Sequence, residues 1–392
     1  MLKGTKRDLL LVLAMLIASR ALIAIAFWLT PGAHFGAVAN WDGHFYRKIA
    51  TSGYAWIPNG GYNTVAFFPL YPLVVRALMF CGLPFAAAGA VVSNAAFAGM
   101  IWVAFGWIRE EVGSSAARWC AAVLAFFPLS LFGSVTYTES LFMLLSALAL
   151  REFGGERYGR AAVWTALASL TRPTGLSLLP AFAVAALAER RKVGALACAG
   201  AAATGAIAFG GYCAVRLGDA LAPLHAQAYW RSANGAGIDR WVVLLSRGWF
   251  SFEHWRFQLE LLPLVAALCF FRRLPAWLVA VLSATVVYVE HWCWDRDFAT
   301  ATLLFLGAPA LVYFRKQLGT AALVYGIVAI VTLIATGTER SVDRILYATL
   351  PLPLAMAIFF SRARYFGVPV LAAFAWDLVT ATAEFVKGSW VA

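Results

Sequence analysis

Charged residues are scarce in this chain. Asp, Glu, Lys and Arg make up 13% of its 392 residues, whereas 62% are hydrophobic. A soluble domain carries about a quarter charged residues, because its surface must be wetted by water. The composition therefore excludes a soluble protein with several cores and predicts an integral membrane protein.

Cysteine is also sparse, and its six positions show no paired spacing. This pattern excludes a disulfide framework and a thiolate zinc site, and it predicts that most of the cysteines pack as small apolar residues. The positions are Cys81, Cys120, Cys198, Cys213, Cys269 and Cys293.

Cations outnumber acids, with a formal net charge of +12. They lie in short clusters between apolar runs, which indicates membrane topology rather than nucleic-acid binding. The positive-inside rule places these clusters, and with them the N-terminus, in the cytoplasm. The clusters are 3–7, 109–118, 151–160, 190–192, 272–273, 315–316 and 362–364.

The segment Val65 to Phe80 is ambiguous, because it is apolar but contains Pro69, Pro72 and Arg76. If it crossed the membrane, the clusters from Arg109 onward would move outside, against the positive-inside rule. We therefore predict that it lies at the interface on the exterior side.

The remaining apolar runs predict an all-α polytopic protein with about 13 transmembrane helices in a single domain, residues 1–392. Two exterior segments, 30–82 and 217–258, are rich in Trp and Tyr and are expected to form juxtamembrane helices. Several spans are shorter than about twenty residues, which predicts helices broken near functional groups. The spans are 9–29, 84–108, 119–135, 138–150, 161–171, 174–188, 193–216, 259–271, 275–289, 298–314, 320–336, 344–360 and 367–386.

Asp42 is the only acidic residue of the first exterior segment, and Gly43 beside it lets another molecule approach closely. A carboxylate near the bilayer edge, with His44 and Arg47 nearby, suits a general base. Asp before a helical stretch is equally suited to an N-cap. These residues alone leave both interpretations open.

Five short motifs carry a resemblance to a known family. They are residues 40–46 (NWDGHFY), 66–72 (AFFPLYP), 137–142 (YTESLF), 169–175 (SLTRPTG) and 341–344 (SVDR). In this order they resemble the PIG-V family, the GPI mannosyltransferases II and their bacterial relatives, within the GT-C class of membrane glycosyltransferases.

The resemblance implies a GT-C fold and transfer of a sugar, typically mannose, from a polyprenyl-phosphate donor. The acceptor would be lipid- or polymer-linked and presented at the exterior face of the bacterial cytoplasmic membrane. The reaction would invert the sugar and need no metal or other cofactor. It requires one base, here Asp42, and cations that stabilise the leaving phosphate. His44, Tyr46 and Tyr71 are further candidates for substrate binding.

Glu139 and Arg172 are predicted at neighbouring exterior turns. A carboxylate at this depth is costly without a partner, so Glu139 either contacts sugar hydroxyls or forms a structural ion pair with Arg172. Arg172 precedes Pro173, which ends its helix and directs the guanidinium to the exterior interface. Both residues are candidates for substrate binding.

Arginine suits the donor phosphate, because its guanidinium can bond two oxygens at once. Arg344 is our first candidate, Arg296 the second, and His291 is grouped with them. The alternative is that these arginines form exposed ion pairs, Arg344 with Asp343. Three scattered ligands, His291 with Asp295 and Asp297, are weak evidence for a metal, and we predict none.

Arg20 lies mid-way along the first span, where an unpaired charge is costly. We therefore expect it to be bound inside the helix bundle. A transporter or lipid flippase is the main rival to the enzyme, since it too has many helices and buried charges. A transporter should carry charges near the membrane middle, whereas most candidates here lie at exterior turns. A non-catalytic scaffold would leave the Trp-Asp motif unexplained.

Overall fold

The computed structural model describes residues 6–58, 61, 63–191, 193–227, 275, 278, 307–336 and 341–391. All regular elements in these ranges are helical, as the apolar runs predict. The α-helices are α1 (Lys6–Leu29), α2 (Asp42–Ser52), α3 (Leu70–Phe80), α4 (Phe85–Glu111), α5 (Ser114–Phe126), α6 (Glu139–Gly154), α7 (Tyr158–Thr171), α8 (Leu178–Ala188), α9 (Val193–Leu217), α10 (Ala222–Gln227), α11 (Ala308–Tyr313), α12 (Arg315–Leu318), α13 (Thr320–Thr336), α14 (Val342–Ala348), α15 (Pro351–Arg362) and α16 (Arg364–Val386).

Within these ranges, α1, α4, α9 and α16 are each long and apolar enough to cross a membrane. Helices α14 and α15 form a fifth candidate span, bent by 71° where they meet. The other helices follow the order of the predicted spans. Predicted spans 259–271 and 275–289, and most of 298–314, lie outside the described residues, so the total of 13 stays a prediction.

Two 11-residue helices, α2 and α3, form most of the described part of the first exterior segment. Each is about 16 Å long at 1.5 Å per residue, roughly half the hydrocarbon thickness of a bilayer. Helix α3 begins directly after Pro69, and Pro72 falls in its first turn, where its missing N–H costs no helical bond. Its length agrees with an interfacial helix that does not cross.

Segments that the topology assigns to one side meet at one end of the bundle. Asp8 on α1 contacts Arg109 at the end of α4 and Arg118 at the start of α5, at 3.4 Å each. Arg151 near the end of α6 pairs with Glu110 at 2.7 Å. These contacts confirm that the first three cationic segments share an end.

Arg20 is held inside the bundle, as expected. Its guanidinium donates to the Ser130 carbonyl and hydroxyl, both at 3.0 Å, and to the Ser134 hydroxyl at 3.2 Å. It also lies 4.1 Å from the ring centroid of Phe97. Within the described residues its partners are neutral, so Arg20 ties α1 to the chain after α5.

Small residues position the segments that carry the candidate site. A Cβ on Gly89 of α4 would lie 2.3 Å from Thr136 Cγ2, so only glycine lets the 134–138 turn pack this closely. A Cβ on Gly175 would lie 2.6 Å from Ser169 Cα, just after Arg172. Of the described cysteines, Cys120, Cys198 and Cys213 are buried as packing residues, whereas Cys81 is exposed.

Candidate active site

The site begins with a tight turn that leads into α2. The Gly43 N–H donates to the Asn40 carbonyl at 3.1 Å, which closes a four-residue turn. Trp41, its second residue, has φ 55° and ψ −115°. This region is normally taken by glycine, and a bulky side chain there is strained. The turn must therefore be held by its surroundings.

The C-terminal end of α16 and the residues after it supply part of that support. The Asn40 side chain donates to the Phe385 carbonyl at 3.0 Å, and the Trp41 indole N–H donates to the Ser389 carbonyl at 3.1 Å. The Trp41 ring packs edge-on against Trp390, with centroids 5.2 Å apart.

Asp42 is the first residue of α2, and Trp41 takes the N-cap position. Its carboxylate is bound to Arg344, with Oδ2 2.8 Å from Nη1, and both residues are 6% exposed. The N-cap interpretation of Asp42 is therefore wrong, because the side chain is engaged in a buried ion pair.

Glu139, the first residue of α6, joins two arginines. It forms a direct ion pair with Arg172, and its Oε1 lies 3.2 Å from Arg344 Nε. Arg172 also donates to the Thr138 hydroxyl at 3.0 Å. Its backbone is extended, as expected for a residue before proline. The predicted pair of Glu139 with Arg172 is present, and Arg344 extends it.

These four side chains alternate in charge and sum to zero. We call them the four-charge cluster: Asp42, Arg344, Glu139 and Arg172. They come from four segments far apart in the sequence, and each is buried or nearly so. A buried group of this kind is tolerated only when every charge has a partner.

Several polar atoms of the site still lack a hydrogen bond in the described part of the chain. They are Glu139 Oε2, Arg344 Nε, Thr136 Oγ1 and Ser140 Oγ. The Arg344 Nε contact with Glu139 is thus a close approach of charges without hydrogen-bond geometry. Because buried polar atoms are nearly always satisfied, unpaired ones in a cluster mark a place for ligand groups.

Arg344 is enclosed by aromatic rings. Its guanidinium carbon lies 5.1 Å from the centroid of Tyr137, 5.3 Å from Phe132 and 5.9 Å from Trp390. Its Nη2 donates to the Ser341 hydroxyl at 3.0 Å. Asp343 accepts the backbone N–H of Arg344. The alternative of an exposed pair between Arg344 and Asp343 is therefore wrong, since the guanidinium is buried against Asp42 and Glu139.

The other predicted substrate contacts differ in position. His44 is exposed on α2, whereas Tyr46 is buried, and its hydroxyl lies 3.3 Å from the Thr138 hydroxyl beside Arg172. Burial raises the pKa of Tyr46, so this phenol stays neutral. Tyr71 is fully buried, and its hydroxyl donates to the Gly89 carbonyl. This position gives Tyr71 a packing role and does not support its predicted contact with substrate.

Arg296 and His291 lie outside the described residues, as does most of segment 217–258 with its tryptophans. Within the described ranges, no three His, Cys, Asp or Glu side chains are grouped to hold a metal ion. The guanidinium of Arg344 instead lies between the carboxylates of Asp42 and Glu139.

Sequence reasoning assigned no role to Tyr137 or Trp390, although both contact Arg344. An aromatic residue before a helix, or near an interface, ordinarily indicates packing. The Trp-Asp-Gly sequence was a visible signal of the turn, but nothing in it indicates that Trp41 rather than Gly43 takes the positive φ.

Comparisons with known proteins agree with this fold. No family model matches the chain. The chain is 29% identical to GPI mannosyltransferase 2 of Drosophila melanogaster over 162 residues, which are 37% of this chain and 34% of that protein. It is 30% identical to GPI mannosyltransferase 2 of Drosophila pseudoobscura pseudoobscura over 118 residues, 27% of this chain and 25% of that one. The matches thus span about a third or less of these relatives.

A solved structure matches nearly the whole chain. The oligosaccharyltransferase of Archaeoglobus fulgidus in the apo form aligns with a TM-score of 0.50 and 14% identity, over 97% of this chain and 56% of that one. The same protein in complex with Zn and sulfate aligns equally well, at 15% identity. At this identity the likeness shows the fold: the chain is an all-α polytopic membrane protein with the GT-C fold.

Proposed function

We propose that this chain is an inverting glycosyltransferase that moves mannose from a polyprenyl-phosphate donor to a lipid- or polymer-linked acceptor. One observation carries the proposal. A carboxylate suited to act as base and a guanidinium suited to bind phosphate, from segments some 300 residues apart, lie 2.8 Å from each other in a buried cluster. The similarity to GPI mannosyltransferases supports the choice of mannose.

In this mechanism Asp42 takes the proton of the acceptor hydroxyl. The acceptor oxygen forms a bond to the anomeric carbon while the bond from that carbon to the phosphate oxygen breaks. The electron pair leaves with the polyprenyl phosphate, whose negative charge Arg344 stabilises. A single displacement converts a β-linked donor into an α-linked product. A retaining route would need a carboxylate free to attack the sugar, and both Glu139 contacts go to arginines.

The pairing of Asp42 with Arg344 implies an order of events. While Arg344 holds the carboxylate, that carboxylate is a poor base, because proton uptake would break the ion pair. A donor phosphate that draws the guanidinium toward itself frees Asp42 at the moment the acceptor needs it. The donor therefore binds before the acceptor is deprotonated.

The remaining parts of the proposal follow from the same site. Arg344 and Arg172 supply the positive charge at the two carboxylates, so the reaction proceeds without a metal. The site lies on the exterior face of a bacterial cytoplasmic membrane, opposite a cytoplasmic N-terminus, because the cationic segments gather at the other end. A transporter is disfavoured, since Arg20, the charge mid-way along α1, has neutral partners.

The test uses purified protein in liposomes with polyprenyl-phosphate mannose and a membrane lipid extract. We expect mass spectrometry to show a hexose added to an extract component, equally with and without a chelator, and lost in Asp42→Asn. Movement of intact donor across the liposome membrane without any hexose transfer would instead establish the transporter.

A further inference from the structure

Tyr137 lies in the turn before α6 and is 1% exposed. Its hydroxyl accepts the backbone N–H of Asp42 at 3.2 Å and donates to the Asn40 carbonyl at 3.3 Å. One phenol oxygen thus ties the first and third residues of the strained turn together. Burial raises the pKa of Tyr137 well above its ordinary value, so the hydroxyl stays neutral and can make both bonds.

These bonds act at the point where strain is stored. Trp41, between the two tied residues, is held at φ 55°, a conformation that L side chains rarely adopt. If the turn relaxed, Asp42 at the start of α2 would change direction. The Tyr137 hydroxyl is the contact that fixes the Asp42 backbone itself, whereas the contacts with the C-terminal residues act on Asn40 and Trp41.

The Tyr137 ring serves the other member of the ion pair. Its centroid lies 5.1 Å from the Arg344 guanidinium carbon, within the range of a cation–π contact. The same ring packs against Phe132, with centroids 4.7 Å apart, and against Phe385, at 5.9 Å. Phenylalanine would keep all these ring contacts, so the hydroxyl is the feature that packing alone does not require.

We infer that Tyr137 is a positioning residue that aligns both reacting groups: its hydroxyl sets the direction of Asp42, and its ring sets the plane of Arg344. This inference rests on the proposed function, in which Asp42 is the base and Arg344 binds the donor phosphate. It adds a residue that touches neither the sugar nor the phosphate and acts through the groups that do.

The test compares Tyr137→Phe with Tyr347→Phe. Tyr347 is a matched control, because it is 1% exposed, stacks on Phe127 and donates its hydroxyl to a backbone carbonyl, that of Leu124 at 2.8 Å. We expect Tyr137→Phe to lower kcat about ten- to hundredfold, as misplacement of a reacting group does, with the donor KM little changed. Tyr347→Phe should change Tm by a similar amount and keep kcat.

A third variant, Tyr137→Leu, separates the ring from the hydroxyl. Loss of the ring should raise the donor KM several-fold on top of the loss in kcat. A normal kcat in Tyr137→Phe, or an equal loss of kcat in Tyr347→Phe, would overturn the inference.

A second readout does not depend on activity. Hydrogen exchange of the Asp42 amide should be faster in Tyr137→Phe than in the wild type and unchanged in Tyr347→Phe. Unchanged exchange in Tyr137→Phe would disprove the positioning role. If the wild type transfers no sugar but this exchange pattern is found, the proposed function fails while the hold of Tyr137 on the turn stands.

Discussion

Two groups of ion pairs at opposite ends of the bundle differ in ways that separate a site from a fastening. In the four-charge cluster, Arg344 and Arg172 have side chains only 8% and 14% exposed. At the other end Asp8 is equally buried, but its partners Arg109 and Arg118 are 24% and 44% exposed and lie 3.4 Å away. Water can replace Asp8 as a partner of those arginines, whereas the cluster offers no such exchange.

The backbone differs in the same way. Trp41 and Ser341, which adjoin Asp42 and bind Arg344, both have positive φ values. Glu156 and Arg190 also have positive φ, but they follow the ends of α6 and α8, where a left-handed residue is ordinary. Strained backbone together with unpaired polar atoms therefore distinguishes the site from a structural ion pair.

The largest expected effect is that of Asp42→Asn. If Asp42 is the base, turnover should fall by about a hundred- to ten-thousand-fold. The donor KM should stay the same or fall, because the phosphate no longer competes with a carboxylate for Arg344. Steady-state kinetics with Asp8→Asn as the matched control would check this. Near-normal turnover in Asp42→Asn would leave the cluster a fastening like its counterpart.

Glu139→Gln should have the next largest effect, chiefly on stability. It removes the anion that two buried arginines share, and breaking a buried pair costs about 3–5 kcal/mol. We expect a markedly lower Tm in detergent. A shift no larger than that of Asp8→Asn would show that the cluster is solvated and would erase the contrast between the two ends.

Arg344→Lys should have a moderate effect on the donor. Lysine keeps the charge but cannot bond two phosphate oxygens in a fixed fork, so we expect the donor KM to rise about tenfold. Titration of a polyprenyl phosphate would measure the same loss directly. Arg118→Lys is the control from the other end, and an equal change there would argue against a specific phosphate site.

Asp8→Asn should have the smallest effect. Its arginine partners can turn into water, so the free energy of unfolding should fall by about 1 kcal/mol or less. Thermal unfolding in detergent would measure it. A loss as large as that of Glu139→Gln would mean that partner exposure does not separate the two clusters.

Much of this architecture could be predicted from local patterns. Apolar run length predicted α1, α4, α9 and α16, and the prolines of residues 65–80 predicted a short helix that does not cross. Asp42, Glu139, Arg172 and Arg344 could each be selected because a charge at a helix end near a membrane is costly. The partners of Arg344 could not, since Asp343 is adjacent in sequence whereas Asp42 and Glu139 are remote.

The sequence by itself determined the membrane class, the sidedness of the cationic segments and the identity of the four charged residues. These depend on hydropathy and charge, which are properties of short segments. Only the tertiary structure decided that the four side chains meet, that Asp42 faces an arginine rather than capping its helix, and that Tyr137 holds a strained turn. Those outcomes depend on contacts between segments up to 300 residues apart, and the packing of small residues such as Gly89 fixes them.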